Sequence, residues 1–100
     1  MNKIIIILLI FSYVLAEKYI VDQKNKSFYP ENLTVKVGDT IIFKNSDQFA
    51  HHTYTDDLKN EFDNGLQASG ENIEIKIKAK SRLFIECAIH PNMILEVNVK

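Results

Sequence analysis

One hundred residues, 46% of them hydrophobic and 25% charged, supply one compact domain and leave no length for a second. With 12 Lys and Arg against 13 Asp and Glu, the net charge of −1 excludes a nucleic-acid binder held by a basic field and argues against a surface drawn strongly to anionic lipid. The single Cys excludes an intramolecular disulfide, so a domain this small needs another staple, for which a metal is the obvious candidate.

The chain opens as a secretory signal peptide would. Met1-Asn2-Lys3 sets a positive charge ahead of the apolar run Ile4 to Phe11, and Val14-Leu15-Ala16 offers small residues for cleavage. The run falls well short of the roughly 20 apolar residues that a spanning helix needs. A cleaved signal over residues 1–16 is therefore expected, with an uncleaved anchor as the competing reading. The mature domain is then residues 17–100, periplasmic or otherwise extracytoplasmic, with no stable membrane insertion. Loss of Lys3 leaves 11 basic and 13 acidic residues, a mature charge of about −2.

Beyond residue 16 the sequence reads as strand after strand. A short strand is expected at Tyr19 to Asp22. Leu33, Val35 and Val37 alternate with polar residues, and Gly38-Asp39 signals a turn into Thr40 to Lys44, which predicts a hairpin. Further strands are expected at His51 to Thr55, over Ile73, Ile75 and Ile77, at Leu83 to Cys87, and over Leu95, Val97 and Val99. Only Asp56 to Ser69 has room for a helical turn, and the stretch around Gly65 and Gly70 reads as loop. Phe28, Tyr29, Phe43, Phe62 and Phe84 are expected to pack in the core or at its edges. Six or seven short strands with one wet face predict an all-β sandwich or small barrel, because antiparallel sheets of this kind bury their apolar sides together.

The chemistry is concentrated in Cys87-Ala88-Ile89-His90-Pro91-Asn92-Met93, between two apolar strands. A thiolate, an imidazole and a thioether share this loop, a set soft enough for copper, and the two-His, one-Cys site with a weak axial Met lacks only one imidazole. His51 and His52 stand 36 and 35 residues upstream of Cys87, beside the turn Asn45-Ser46-Asp47. Spacing does not choose between them. Neighbouring strand side chains point to opposite faces, so only one of the pair can aim between the sheets at Cys87. Taken singly, a lone Cys reads as a small buried hydrophobe, a Met as core filler and adjacent His as a polar pair at the surface or a weak adventitious metal site; their joint arrangement is what points to a metal.

At these residues the sequence resembles the cupredoxins, most closely the short-loop group that contains amicyanin and plastocyanin-like proteins, over roughly residues 28 to 100. The loop Cys87-x-x-His90-x-x-Met93 has amicyanin-like spacing. The stretch Val35-x-Val37-Gly38-Asp39-Thr40-Ile41-x-Phe43-x-Asn45-x-Asp47-x-x-Ala50-His51 is similar to the family's strand, turn and first-ligand segment. The resemblance implies an eight-stranded Greek-key sandwich, one type 1 copper ion cycling between Cu(I) and Cu(II), and one-electron transfer outside the cytoplasm. It assigns His51, Cys87, His90 and Met93 as ligands, with His90 as the electron port. It implies transient redox protein partners, for example a c-type cytochrome or a dehydrogenase, with no enzyme activity of its own.

His52 then falls where these proteins usually carry Asn, a residue that ties its strand to the position after the Cys, here Ala88. The backbone N–H groups of His52 and of Ile89 are both expected near the thiolate. Phe49, Ala50, Ile89 and Pro91 flank the ligands as an apolar patch. The runner-up function is an extracytoplasmic copper chaperone or storage protein. A Cys-His hydrolase is disfavoured because Cys87 and His90 share one tight loop without an orienting third group, and a structural zinc site because Met is a poor fourth ligand.

Overall fold

The computed structural model describes residues 15–100. The expected signal segment therefore lies, apart from Leu15 and Ala16, outside the described residues. Nine strands follow: β1 (Lys18–Lys24), β2 (Ser27–Tyr29), β3 (Asn32–Val35), β4 (Thr40–Asn45), β5 (Thr53–Thr55), β6 (Phe62–Asp63), β7 (Asn72–Lys76), β8 (Arg82–Cys87) and β9 (His90–Val99). One sheet has the order β2-β1-β4-β7 and the other β3-β9-β8-β5-β6. The described residues contain no helix; the stretch from Asp56 to Ser69 holds β6 and turns instead. The two-residue β6 raises the strand number above the eight that the resemblance implies.

The alternation in the sequence becomes the sandwich interior. Val21, Ile41 and Phe43 from the first sheet meet Val35, Leu83, Ile85, Leu95 and Val97 from the second, all at most 1% exposed. Each such side chain contributes about 1.5–3 kcal/mol relative to remaining in water. Phe43 joins the layers, its ring 6.3 Å from Phe28 and 6.1 Å from Phe62. Tyr29 and Phe84 lie at the margins, about half exposed.

The expected hairpin between β3 and β4 does not form. β3 pairs in parallel with β9, Leu33 opposite Val97 and Val35 opposite Val99, whereas β4 pairs with β1 in parallel and with β7 antiparallel. Both sheets are consequently mixed. The expected turn forms at Gly38-Asp39, but it carries the chain across the sandwich. Asp39 N donates to Lys36 O at 3.0 Å with Gly38 at φ 94°, the left-handed position a type II turn reserves for Gly. The buried Asp39 carboxylate accepts Lys36 N at 2.8 Å and Glu17 N at 2.9 Å, and so fastens the corner to the start of β1. Apolar alternation specifies which face is buried, and two strands in opposite sheets satisfy it as well as two neighbours do.

The β1–β2 hairpin carried a weaker signal. Its two-residue turn, Asn25-Lys26, has φ of 52° and 56°, the left-handed pair of a type I′ turn, here built without Gly. This turn lies at the same end of the sandwich as the end of β4, the end of β8 and the start of β9, and the candidate site is assembled there.

Candidate metal centre

Cys87 ends β8 and His90 begins β9, paired across the two-residue turn Ala88-Ile89, with a register shift between Glu86 and Cys87. The tight turn leaves Cys87 facing inward at 3% exposure and His90 half-buried. Met93, three residues further along β9, is buried at 1%, and with Lys26, His90, Pro91 and Asn92 it lines a surface cleft.

The imidazole missing from the loop comes from His51. Its backbone forms an isolated bridge with Gln67, His51 N to Gln67 O at 3.0 Å and Gln67 N to His51 O at 2.7 Å, and its side chain is fully buried. His51 Nδ1 stands 3.8 Å from Cys87 Sγ, and the His51 and His90 ring centroids are 5.1 Å apart. One donor atom from each of His51, Cys87 and His90 lies within 4.8 Å of the others.

The surroundings set the chemical state of these donors. His51 Nε2 is 2.8 Å from Asp47 Oδ2. Burial pushes the Asp47 carboxyl up, but the amides of Lys26 and Asn25, at 3.2 and 2.7 Å, together with His51, outweigh it and hold the group below its usual range. An ionised Asp47 only accepts, so Nε2 carries the proton and Nδ1 presents its lone pair toward Sγ. His90 is lowered from its ordinary value by burial first and then by the proximity of His51 and Lys26. Its Nε2 is buried with no hydrogen-bond partner.

Asn45 Nδ2 donates to Phe49 O at 2.9 Å and to Gln67 O at 3.1 Å, shaping the loop before His51. Gln67 Nε2 donates to Phe43 O and Glu71 O, and Gln23 Nε2 to Gln67 Oε1 at 2.8 Å. These amides and the role of Asp47 escaped the sequence reading. The available signal was Gln23 at an inward position after Tyr19 and Val21, and an Asp four residues before His51. Phe49 closes the outer side, its ring 5.4 Å edge-to-face from both His51 and His90, with Lys26 Nζ 5.7 Å over it.

The sequence left the role of His52 open, and here the geometry is specific. His52 N donates to Cys87 Sγ at 3.4 Å, and Ala88 N donates to His52 O at 2.8 Å. The tie between the His51-His52 segment and residue 88 thus runs through backbone atoms, while the His52 side chain turns away to Asp63. Among the described residues, the amide that reaches Sγ is that of His52 and not, as expected, also that of Ile89.

A cysteine sulfur and two imidazoles gathered at one place fit copper, with the buried Met93 lining the same cleft as His90, and the unpaired buried nitrogen of His90 fits a bound metal ion. A family model for copper binding proteins of the plastocyanin/azurin family matches residues 16–100. The chain belongs to this family. Its cofactor is copper. Among curated relatives, this cupredoxin is 31% identical over 77 residues to plastocyanin of Vicia faba, an alignment covering 64% of this chain and 76% of that protein. It is also 31% identical over 75 residues to the chloroplastic plastocyanin of Fritillaria agrestis, covering 64% of this chain but only 45% of that protein's length. Among solved structures, a reduced variant of amicyanin superposes with a TM-score of 0.76 at 20% identity, over 82% of this chain and 81% of that one. A copper-containing nitrite reductase from Thermus scotoductus SA-01 superposes with a TM-score of 0.75 at 27% identity, over 82% of this chain but 22% of that much longer chain.

Proposed function

We propose that this cupredoxin carries single electrons between protein partners outside the cytoplasm, with His51, Cys87 and His90 as ligands of one type 1 copper ion and Met93 as its weak axial ligand. The observation that supports this most directly is the gathering of three donor atoms within 4.8 Å at one end of a packed sandwich. Copper, when bound, supplies the one-electron couple. The residues around it keep the ligands nearly still while the charge changes. Asp47 fixes the tautomer and direction of His51, the His52 amide stabilises electron density on sulfur, and the backbone pairs His51–Gln67 and Ala88–His52 restrain both ligand segments. Little ligand movement means a small reorganisation barrier.

The route in and out is through His90, the half-buried ligand, which has an apolar side beside Lys26 and Asn92: Phe49 is 42% and Ile89 48% exposed, and Pro91 is exposed beside them. A small apolar rim suits a brief encounter with a c-type cytochrome or a dehydrogenase. Copper-loaded protein cycled repeatedly between chemical oxidant and reductant should return the full signal with its copper retained. Release of copper on reduction, or transfer of copper to an apo-acceptor faster than electron exchange, would favour a chaperone and overturn the carrier reading.

A further inference from the structure

A candidate cleavage motif and a buried carboxylate meet at Glu17. In the sequence, Val14-Leu15-Ala16 places small residues where a signal peptidase would cut. In the structure, Leu15, Ala16 and Glu17 are exposed, yet the Glu17 nitrogen lies 2.9 Å from Oδ1 of Asp39, a fully buried carboxylate. The other oxygen, Oδ2, accepts the Lys36 amide at 2.8 Å. Thr40 N donates to Glu17 O at 2.9 Å, so the same residue begins the parallel pairing of β1 with β4. The Lys36 ammonium, the cation beside this corner, reaches toward the Glu17 carboxylate at 3.9 Å.

We propose that the Ala16–Glu17 bond is the processing site and that Asp39 is a built acceptor for the α-ammonium released there. Hydrolysis adds water across the peptide bond: Ala16 leaves as a carboxylate, and the Glu17 nitrogen becomes an amine that takes up a proton. A neutral amide donor is thereby replaced by a charged one at the same place, without movement of the chain. Charge-assisted bonds are about twice as strong as neutral ones. Removal of the leader therefore tightens the corner from which both β1 and β4 start, and processing stabilises the product that it releases.

The charged and titratable groups facing the new terminus are Asp39 and Lys36 from the corner, and the carboxylate of Glu17 with the Tyr19 hydroxyl on β1. Tyr19 donates to Glu17 Oε2 at 2.9 Å, and this bond pushes its pKa up. Pairing with Asp39 raises the ammonium pKa above the usual 7.7–8.0 or so. The gain is therefore complete at neutral pH and is lost as pH rises through that raised value.

Intact mass of the protein exported under its own leader should show a chain beginning at Glu17; a different first residue overturns the assignment. All nine strands lie within residues 18–99, so chains 17–100 and 16–100 both contain the whole fold. Copper-loaded, the chain starting at Glu17 should melt about 4 °C above the chain that retains Ala16 at neutral pH. The gap should close by about pH 10, well above the α-amino range; both chains carry the same lysines and Tyr19, so those titrations cancel. Asp39→Asn in both chains should abolish the gap, and where that variant fails to fold the pH series decides. Equal melting at neutral pH, or a gap unchanged at high pH, overturns the proposal.

Discussion

Asp47 Oδ2 lies 2.8 Å from His51 Nε2, and the same carboxylate is clamped by the amides of Asn25 and Lys26 in the β1–β2 turn. A hairpin far from the ligand loop in sequence thus fixes the direction of the buried imidazole. Asp47→Asn keeps the shape but removes the charge that holds the proton on Nε2. Losing such a partner behind a ligating His costs about 10–100-fold in metal affinity. Competition titration against a copper chelator should show a loss of that size, and an unchanged affinity would mean that His51 needs no such anchor.

His51 and His52 separate cleanly by substitution. His51→Ala removes a proposed ligand and should abolish the visible copper spectrum. His52 acts on the site through its N–H and C=O, both of which Ala keeps. Its side chain pairs with exposed Asp63, a solvent-screened contact that contributes little. His52→Ala should therefore retain the spectrum with a small shift in potential or melting temperature; loss of the site in His52→Ala with retention in His51→Ala would reverse the assignment.

The Asp39 corner predicts an acid limb to stability. Burial pushes its carboxyl up, but the Glu17 and Lys36 amides and the Lys36 charge outweigh this and leave it below its ordinary value. Because the folded pKa is the lower one, the contribution is complete above about 3.9, the unfolded value, and is lost as pH falls through the folded value. Asp39→Asn should lower stability at neutral pH by about 1–3 kcal/mol, since two part-buried amides lose a charged acceptor, and should weaken the pH dependence below 4 or so. Denaturant titrations across that range read both effects, and an identical pH slope in the variant would contradict them.

The core joint is equally specific. Phe43 is fully buried between Phe28 and Phe62, and truncation to Ala should cost about 3–5 kcal/mol. A shift in the denaturation midpoint at constant slope would confirm a packing loss, whereas a cost below about 1 kcal/mol would mean the sheets close over the gap.

What could be read in the sequence follows from what local pattern encodes. Burial at Val35, Ile41 and Phe43 was legible because alternation reports a face, and the candidate loop Cys87 to Met93 was legible because its donor residues are close in sequence. The partner of β3 was not legible, since alternation is the same whether Leu33 lies beside Ile41 or, as observed, beside Val97. β2 was obscured because its type I′ turn uses Asn25-Lys26 in place of the usual Asn-Gly. The support around His51 was illegible for another reason: Asn25, Lys26, Asp47 and Gln67 meet only after both sheets have formed. The choice of His51 over His52 came from the family pattern, and the structure adds its physical content, with one imidazole facing Sγ and the other facing Asp63.

The most direct test of the copper-thiolate site is the visible absorption spectrum of the copper(II)-loaded, folded protein, recorded beside Cys87→Ser. An intense thiolate-to-copper band in the parent, absent from Cys87→Ser while that variant remains folded, is the result expected here. A folded, fully loaded parent without the band, or a band that survives Cys87→Ser, would contradict the account.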